Sequence, residues 1–291
     1  MLTLYVSFRL FEWAQAVEGN KAFIKKHVQN VSLNTNLDCL ILGGSNSVFS
    51  ISAEQMSNET KRNCYNLSLL NEGFSDSAYW HFLTETIGDQ RTNITQIFYS
   101  SVMPIASFEF ADIQARKKNE EQGIGISGNI NFEIIGRSVA SYIKSFILDD
   151  EMNFITHLYP APNEWGDFNF NLYKHCNNNN IDVVFKPEDN LPLLANWANS
   201  QIKRLTEFFP NATIYIVVPS TMRDDKFNSS KFDAAIKILK AEVIESSTLQ
   251  QEVLLVVQPP FTNIAHLCDG EHHGNEMGRK IRTSDLIRNI H

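Results

Sequence analysis

Asp38-Cys39-Leu40-Ile41-Leu42-Gly43-Gly44-Ser45-Asn46-Ser47-Val48-Phe49-Ser50 is an apolar run that ends in two glycines and a serine, with helical spacing after it. An uninterrupted apolar run of this length suits a strand covered on both faces, as strands in parallel sheets are. Paired glycines let the chain turn sharply at the strand's carboxyl end, where open α/β sheets place their sites. The backbone N–H groups of the next helix then point at whatever the serine hydroxyl attacks. Ser45 is therefore a candidate nucleophile; the plainer alternative is a serine that only caps the helix.

Outward from this stretch, apolar or β-branched runs at residues 63–70, 94–99, 213–218 and 252–257 read as further strands. Helical spacing covers residues 53–60, 75–87, 191–209 and 232–246 between them. Strands that alternate with helices imply an α/β fold with a doubly wound, mostly parallel sheet flanked by helices. The whole chain, 1–291, reads as one domain, with an N-terminal helical extension over 1–36 and an insertion or cap region over 103–190. Inside that region, residues 106–122 read as a charged helix or mobile lid and 133–148 as a helix. The glycine-rich link at 123–128 lacks the Lys-Ser/Thr ending of a phosphate loop. Pro160-Ala161-Pro162-Asn163-Glu164-Trp165-Gly166-Asp167-Phe168 is an aromatic loop that either packs locally or stacks on a sugar ring.

A second stretch lies near the other end: Leu267-Cys268-Asp269-Gly270-Glu271-His272-His273-Gly274-Asn275-Glu276-Met277-Gly278-Arg279. An aspartate and a histidine a few residues apart can share a hydrogen bond that fixes the imidazole tautomer and stabilises the imidazolium formed when the ring takes a serine's proton. Such a loop supplies both a base and its orienting acid. His266, Cys268, Asp269, His272 and His273 also crowd together there, but in no familiar zinc spacing, and neither a metal nor a cofactor is expected. His81, His157 and His175 read as structural or surface residues.

Together the two stretches resemble the SGNH/GDSL family of serine esterases and acyltransferases. Gly43-Gly44-Ser45-Asn46-Ser47 matches the family's first block, with Gly44 where aspartate is usual, and Asp269-Gly270-Glu271-His272 matches its Asp-x-x-His block. The resemblance implies an SGNH hydrolase-like fold, a flavodoxin-like three-layer α/β/α arrangement. It implies a triad of Ser45, His272 and Asp269. Counting forward from Asp269 selects His272, whereas counting back from Gly278 selects His273, the alternative base. Gly73 matches the glycine whose N–H helps the Ser45 N–H hold the oxyanion. No asparagine follows the third strand, where the family carries another oxyanion donor, so Ser100 or Ser101 is left to serve. The implied activity is hydrolysis or transfer of an acyl ester through a serine ester, on a small-molecule or saccharide substrate, with O-acetyl groups of bacterial surface polysaccharides as the leading class. Two other readings are a catalytically silent SGNH-like binding module in polysaccharide biosynthesis and a flavodoxin-like binder that holds an anion at Gly43-Gly44-Ser45.

Composition sets the limits of these readings. Hydrophobic residues make up 43% and charged residues 20% of 291, as expected of a globular protein with a sizeable core. Net charge is −8, and Lys25-Lys26 and Arg116-Lys117-Lys118 are short basic runs, which argues against nucleic acid as a partner. No apolar run approaches the roughly 18 residues that span a bilayer. Cys39, Cys64, Cys176 and Cys268 show no paired spacing and read as free thiols. With no export signal evident at the N-terminus, the expected setting is cytoplasmic, or periplasmic where such a signal has been removed.

Overall fold

The stretch around Cys39 forms an interior strand of a parallel sheet. In a computed structural model of the chain, which describes residues 23–69, 76–101, 161–170, 176, 191–219, 222, 229–246, 251–268 and 273–290, it is β1 (Cys39–Gly43), buried along its whole length. On one side β1 pairs with β2 (Cys64–Asn66) and on the other with β3 (Gln96–Ser100), with Gly43 opposite Ser100. β4 (Thr213–Val217) and β5 (Val253–Val256) extend the sheet in the order β2-β1-β3-β4-β5, and every pair is parallel. Pairing with β1 continues past β2, since Leu67 and Leu69 donate their N–H groups to the Ile41 and Gly43 carbonyls at 2.8 and 3.0 Å.

The connecting helices are α1 (residues 23–33), α2 (Ser45–Ser50), α3 (Ala53–Thr60), α4 (Asp76–Ile87), α5 (Leu191–Phe208), α6 (Ser229–Ser246) and α7 (Glu276–Asn289). Alternate strand residues face opposite ways, and here both sets are apolar. Leu40, Leu42, Ile97, Tyr99, Ile214 and Ile216 pack with Phe23 of α1, Leu83 of α4, Leu205 of α5 and Leu239 of α6. Cys39, Ile41, Phe98, Tyr215 and Val217 pack on the other face with Met56 of α3 and with Leu286 and Ile287 of α7. The result is the expected three-layer α/β/α architecture. Its chain leaves β1 toward β2 on one side and returns as β3 on the other, so the sheet has a switch point at the carboxyl end of β1, where Ser45 follows.

One expectation changes. The four cysteines are not free thiols: Cys39 bonds Cys64, and Cys176 bonds Cys268. Cys39 and Cys64 are register partners on adjacent strands, so their proximity comes from sheet pairing and not from sequence spacing. The aromatic loop is part of the framework. Phe168 is fully buried in the core, and Trp165 packs partly buried against the second cluster. Among the described residues no helix is long and apolar enough to cross a membrane. Residues 1–22 and most of the expected cap region 103–190, including both helices read at 106–122 and 133–148, lie outside the described residues.

Candidate active site

Ser45 opens α2 directly after the two glycines, and the turn that delivers it leaves no room for a side chain. Gly43 has φ +128°, a backbone conformation that side chains disfavour, and a Cβ there would lie 1.9 Å from the Ser100 carbonyl oxygen. The turn is tied to the neighbouring elements. The Gly43 N–H donates to the Tyr79 hydroxyl at 2.9 Å, and the Gly44 N–H donates to the Ser100 carbonyl at 3.3 Å. The Gly44 carbonyl accepts from Ser47 and Val48, so Gly44 serves as the N-cap of α2. The Ser47 hydroxyl faces the carbonyls of Leu42 and Ser100. Ser45 is thus not the capping residue.

The loop before α7 brings a histidine to this turn. His273 Nε2 lies 2.9 Å from Ser45 Oγ, across 228 positions of chain. The loop is closed on itself: Cys268 donates its N–H to the His273 carbonyl at 2.8 Å, Leu267 and Gly274 form an antiparallel bridge, and Asn275 N–H donates to the His266 carbonyl. Asn275 caps α7 by accepting from the Gly278 N–H at 3.0 Å, while its amide donates to the Ala265 carbonyl at 2.6 Å. A Cβ at Gly278 would lie 2.1 Å from the His266 carbonyl oxygen, so the close approach of α7 to the loop requires glycine. Gly274 N–H reaches the Ser50 hydroxyl on α2 at 3.3 Å, and the His273 ring stacks on Phe49 with 4.5 Å between centroids and 22° between planes.

The candidate residues divide as follows. Ser45 and His273, the alternative base, are brought together. Asp269, His272 and Gly73 lie outside the described residues. Ser100 is buried at the end of β3 beside the glycine turn, and its hydroxyl accepts from Asn46 Nδ2 at 2.6 Å. Asn46 is itself buried, and its Oδ1 has no partner among the described residues. The disulfide to Cys176 leaves Cys268 no free thiolate.

Sequence reading missed Asn46, although it adjoins Ser45, and missed Phe49, four residues after Ser45 and therefore on the same side of α2. Neither residue type signals chemistry alone; their places on the helix do. Chemically, an imidazole nitrogen at hydrogen-bond distance from a serine oxygen can take its proton, provided that the ring is the neutral tautomer with its hydrogen on Nδ1.

The chain matches no family model and no curated protein. Solved structures similar to it include a candidate platelet activating factor from Streptococcus pneumonia, at 10% identity and a TM-score of 0.49 over 99% of both chains. A candidate GDSL-like lipase from Parabacteroides merdae is 14% identical with a TM-score of 0.38, over 88% of this chain and 97% of the other. A phospholipase A1 from Streptomyces albidoflavus is 9% identical with a TM-score of 0.38, over 87% and 99%. The reading of the site therefore rests on its own geometry.

Proposed function

We propose that the protein is a serine-dependent ester hydrolase or O-acyltransferase in which Ser45 is the nucleophile and His273 the general base. The observation that carries this reading is the 2.9 Å contact between Ser45 Oγ and His273 Nε2. His273 takes the Ser45 proton as the hydroxyl attacks the ester carbonyl, then gives it to the departing alkoxide, which leaves an acyl ester on Ser45. Water or a sugar hydroxyl, activated by the same ring, releases the acyl group. Asp269, on the loop whose ends Cys268 and His273 are joined, is the proposed orienting acid. The Ser45 and Gly73 N–H groups are the proposed oxyanion donors, and Ser100 is the third. Its oxygen accepts from Asn46, and a hydroxyl that accepts one hydrogen bond can still donate its own proton.

The substrate class, O-acetyl groups on a saccharide, follows from the resemblance to the SGNH/GDSL family. Two disulfides favour an oxidising compartment over the cytoplasm expected from the sequence.

A fluorophosphonate probe tests the proposal. Covalent labelling of the native chain, absent in Ser45→Ala, together with acetate release from acetylated saccharides is the expected result. Labelling of neither chain contradicts it and favours the silent binding module.

A further inference from the structure

The base is held by more than its loop. His273 lies nearly parallel to Phe49, and Phe49 sits four residues after Ser45 on α2. One turn of helix brings positions i and i+4 to the same side, so a single rigid element carries both the hydroxyl that the ring must reach and the aromatic face that limits how the ring can rotate. We propose that Phe49 is a positioning residue, a stacking plate that holds the His273 imidazole in the one rotation that puts Nε2 on Ser45.

Phe49 is itself immobilised. It is 2% exposed, and its centroid lies 4.7 Å from that of Phe168 and 5.8 Å from that of Phe170. Those two rings meet edge-on at 5.4 Å. Arg279 of α7 closes the far side: its guanidinium lies 4.7 Å from the Phe170 centroid and donates to the Phe168 carbonyl at 2.7 Å. The stack thus runs from the base through three phenylalanines to the helix that follows the base in the chain. The geometry is offset-parallel at the His273 end and tilted or edge-on elsewhere, arrangements that aromatic pairs favour. A leucine at position 49 fills much of the space but has no flat face, so the imidazole gains rotational freedom and spends less time aligned with Ser45.

This inference rests on the proposed roles of Ser45 and His273, and a double-mutant cycle separates the two. Hydrolysis of p-nitrophenyl acetate is measured for the native chain, Phe49→Leu, His273→Ala and the double variant. A positioning role predicts that Phe49→Leu lowers kcat about 10- to 100-fold with little change in KM, since small misplacements of a reacting group have effects of that order. In the His273→Ala background the same change has no further effect, because the group it positions is gone. Phe49→Tyr, which keeps the flat face, recovers most of the rate. Leu239→Ala, a core change on α6, controls for general destabilisation and leaves kcat unchanged. Equal losses from Phe49→Leu with and without His273, or native kcat in Phe49→Leu, overturn the proposal. A His273→Ala chain that hydrolyses at the native rate overturns the base assignment itself and the stacking role with it.

Discussion

At the scale of single residues, burial decides which histidine does what. His273 is partly exposed and meets a serine, whereas His27 of α1 is fully buried, edge-on to Phe23 at 4.6 Å between centroids, with Nδ1 3.0 Å from the Tyr65 hydroxyl and Nε2 without a partner among the described residues. Burial pushes the His27 pKa down to about 3 from the usual 6.5. The unfolded chain therefore binds a proton on this residue between pH 6.5 and 3 while the native chain does not, and stability must fall as the pH drops through that window. The slope from this one group is up to about 1.4 kcal/mol per pH unit. His27→Gln removes it. Urea midpoints at pH 7 and pH 4 should differ less for His27→Gln than for the native chain, and identical differences would contradict the assignment. None of this was legible beforehand, because a histidine on a helical stripe gives no sign of whether water reaches it.

At the scale of elements, the strand-turn-helix unit around Ser45 was readable because its causes are local: an apolar run, two glycines and helical spacing. The loop at residues 161–170 was not, because its role is set by what it touches. Asp167, fully buried, accepts from the Ser52 hydroxyl at 2.7 Å and from the Ala53 and Glu54 N–H groups at 2.7 and 3.0 Å, and so caps the start of α3 from a distant part of the chain. An anion at a helix N-terminus is favoured both by the free N–H groups and by the helix dipole. The loop is built to deliver it. Asn163 Oδ1 accepts from the Trp165 and Asp167 N–H groups, and Gly166, at φ +78°, passes so close to Asn66 that a Cβ would lie 2.1 Å from its carbonyl oxygen. Asp167→Asn removes the charge and turns one acceptor into a donor facing donors. It should lower stability by about 2 kcal/mol, read as a shift in urea midpoint with unchanged slope. A shift under about 0.5 kcal/mol, the size of an ordinary surface substitution, would contradict the capping role.

At the scale of the whole molecule, the parallel sheet explains how residues 45 and 273 meet. The parallel sheet could be anticipated from the alternation of strands and helices, and so could the approach of the loop before α7 to the glycine turn, whereas the strand order and the switch point after β1 come from the strand pairing. The contact of His273 with Ser45 could not be anticipated, since sequence spacing left both adjacent histidines open. Nor could the disulfides, whose partners are 25 and 92 residues apart. Other long-range ties were equally hidden. Arg282 of α7, buried and with its pKa lowered to about 9 by desolvation, donates to the Pro259 and Val218 carbonyls beyond the ends of β5 and β4. It thereby fixes α7, which follows His273, against the sheet whose β1 leads to Ser45.

The most direct measurement is the hydrolysis rate of a chromogenic acetate ester by His273→Ala and by His272→Ala, each compared with the native chain. The account predicts that His273→Ala loses about 10³-fold or more in kcat while His272→Ala stays within an order of magnitude of the native rate. Loss confined to His272→Ala, with His273→Ala at the native rate, would contradict it.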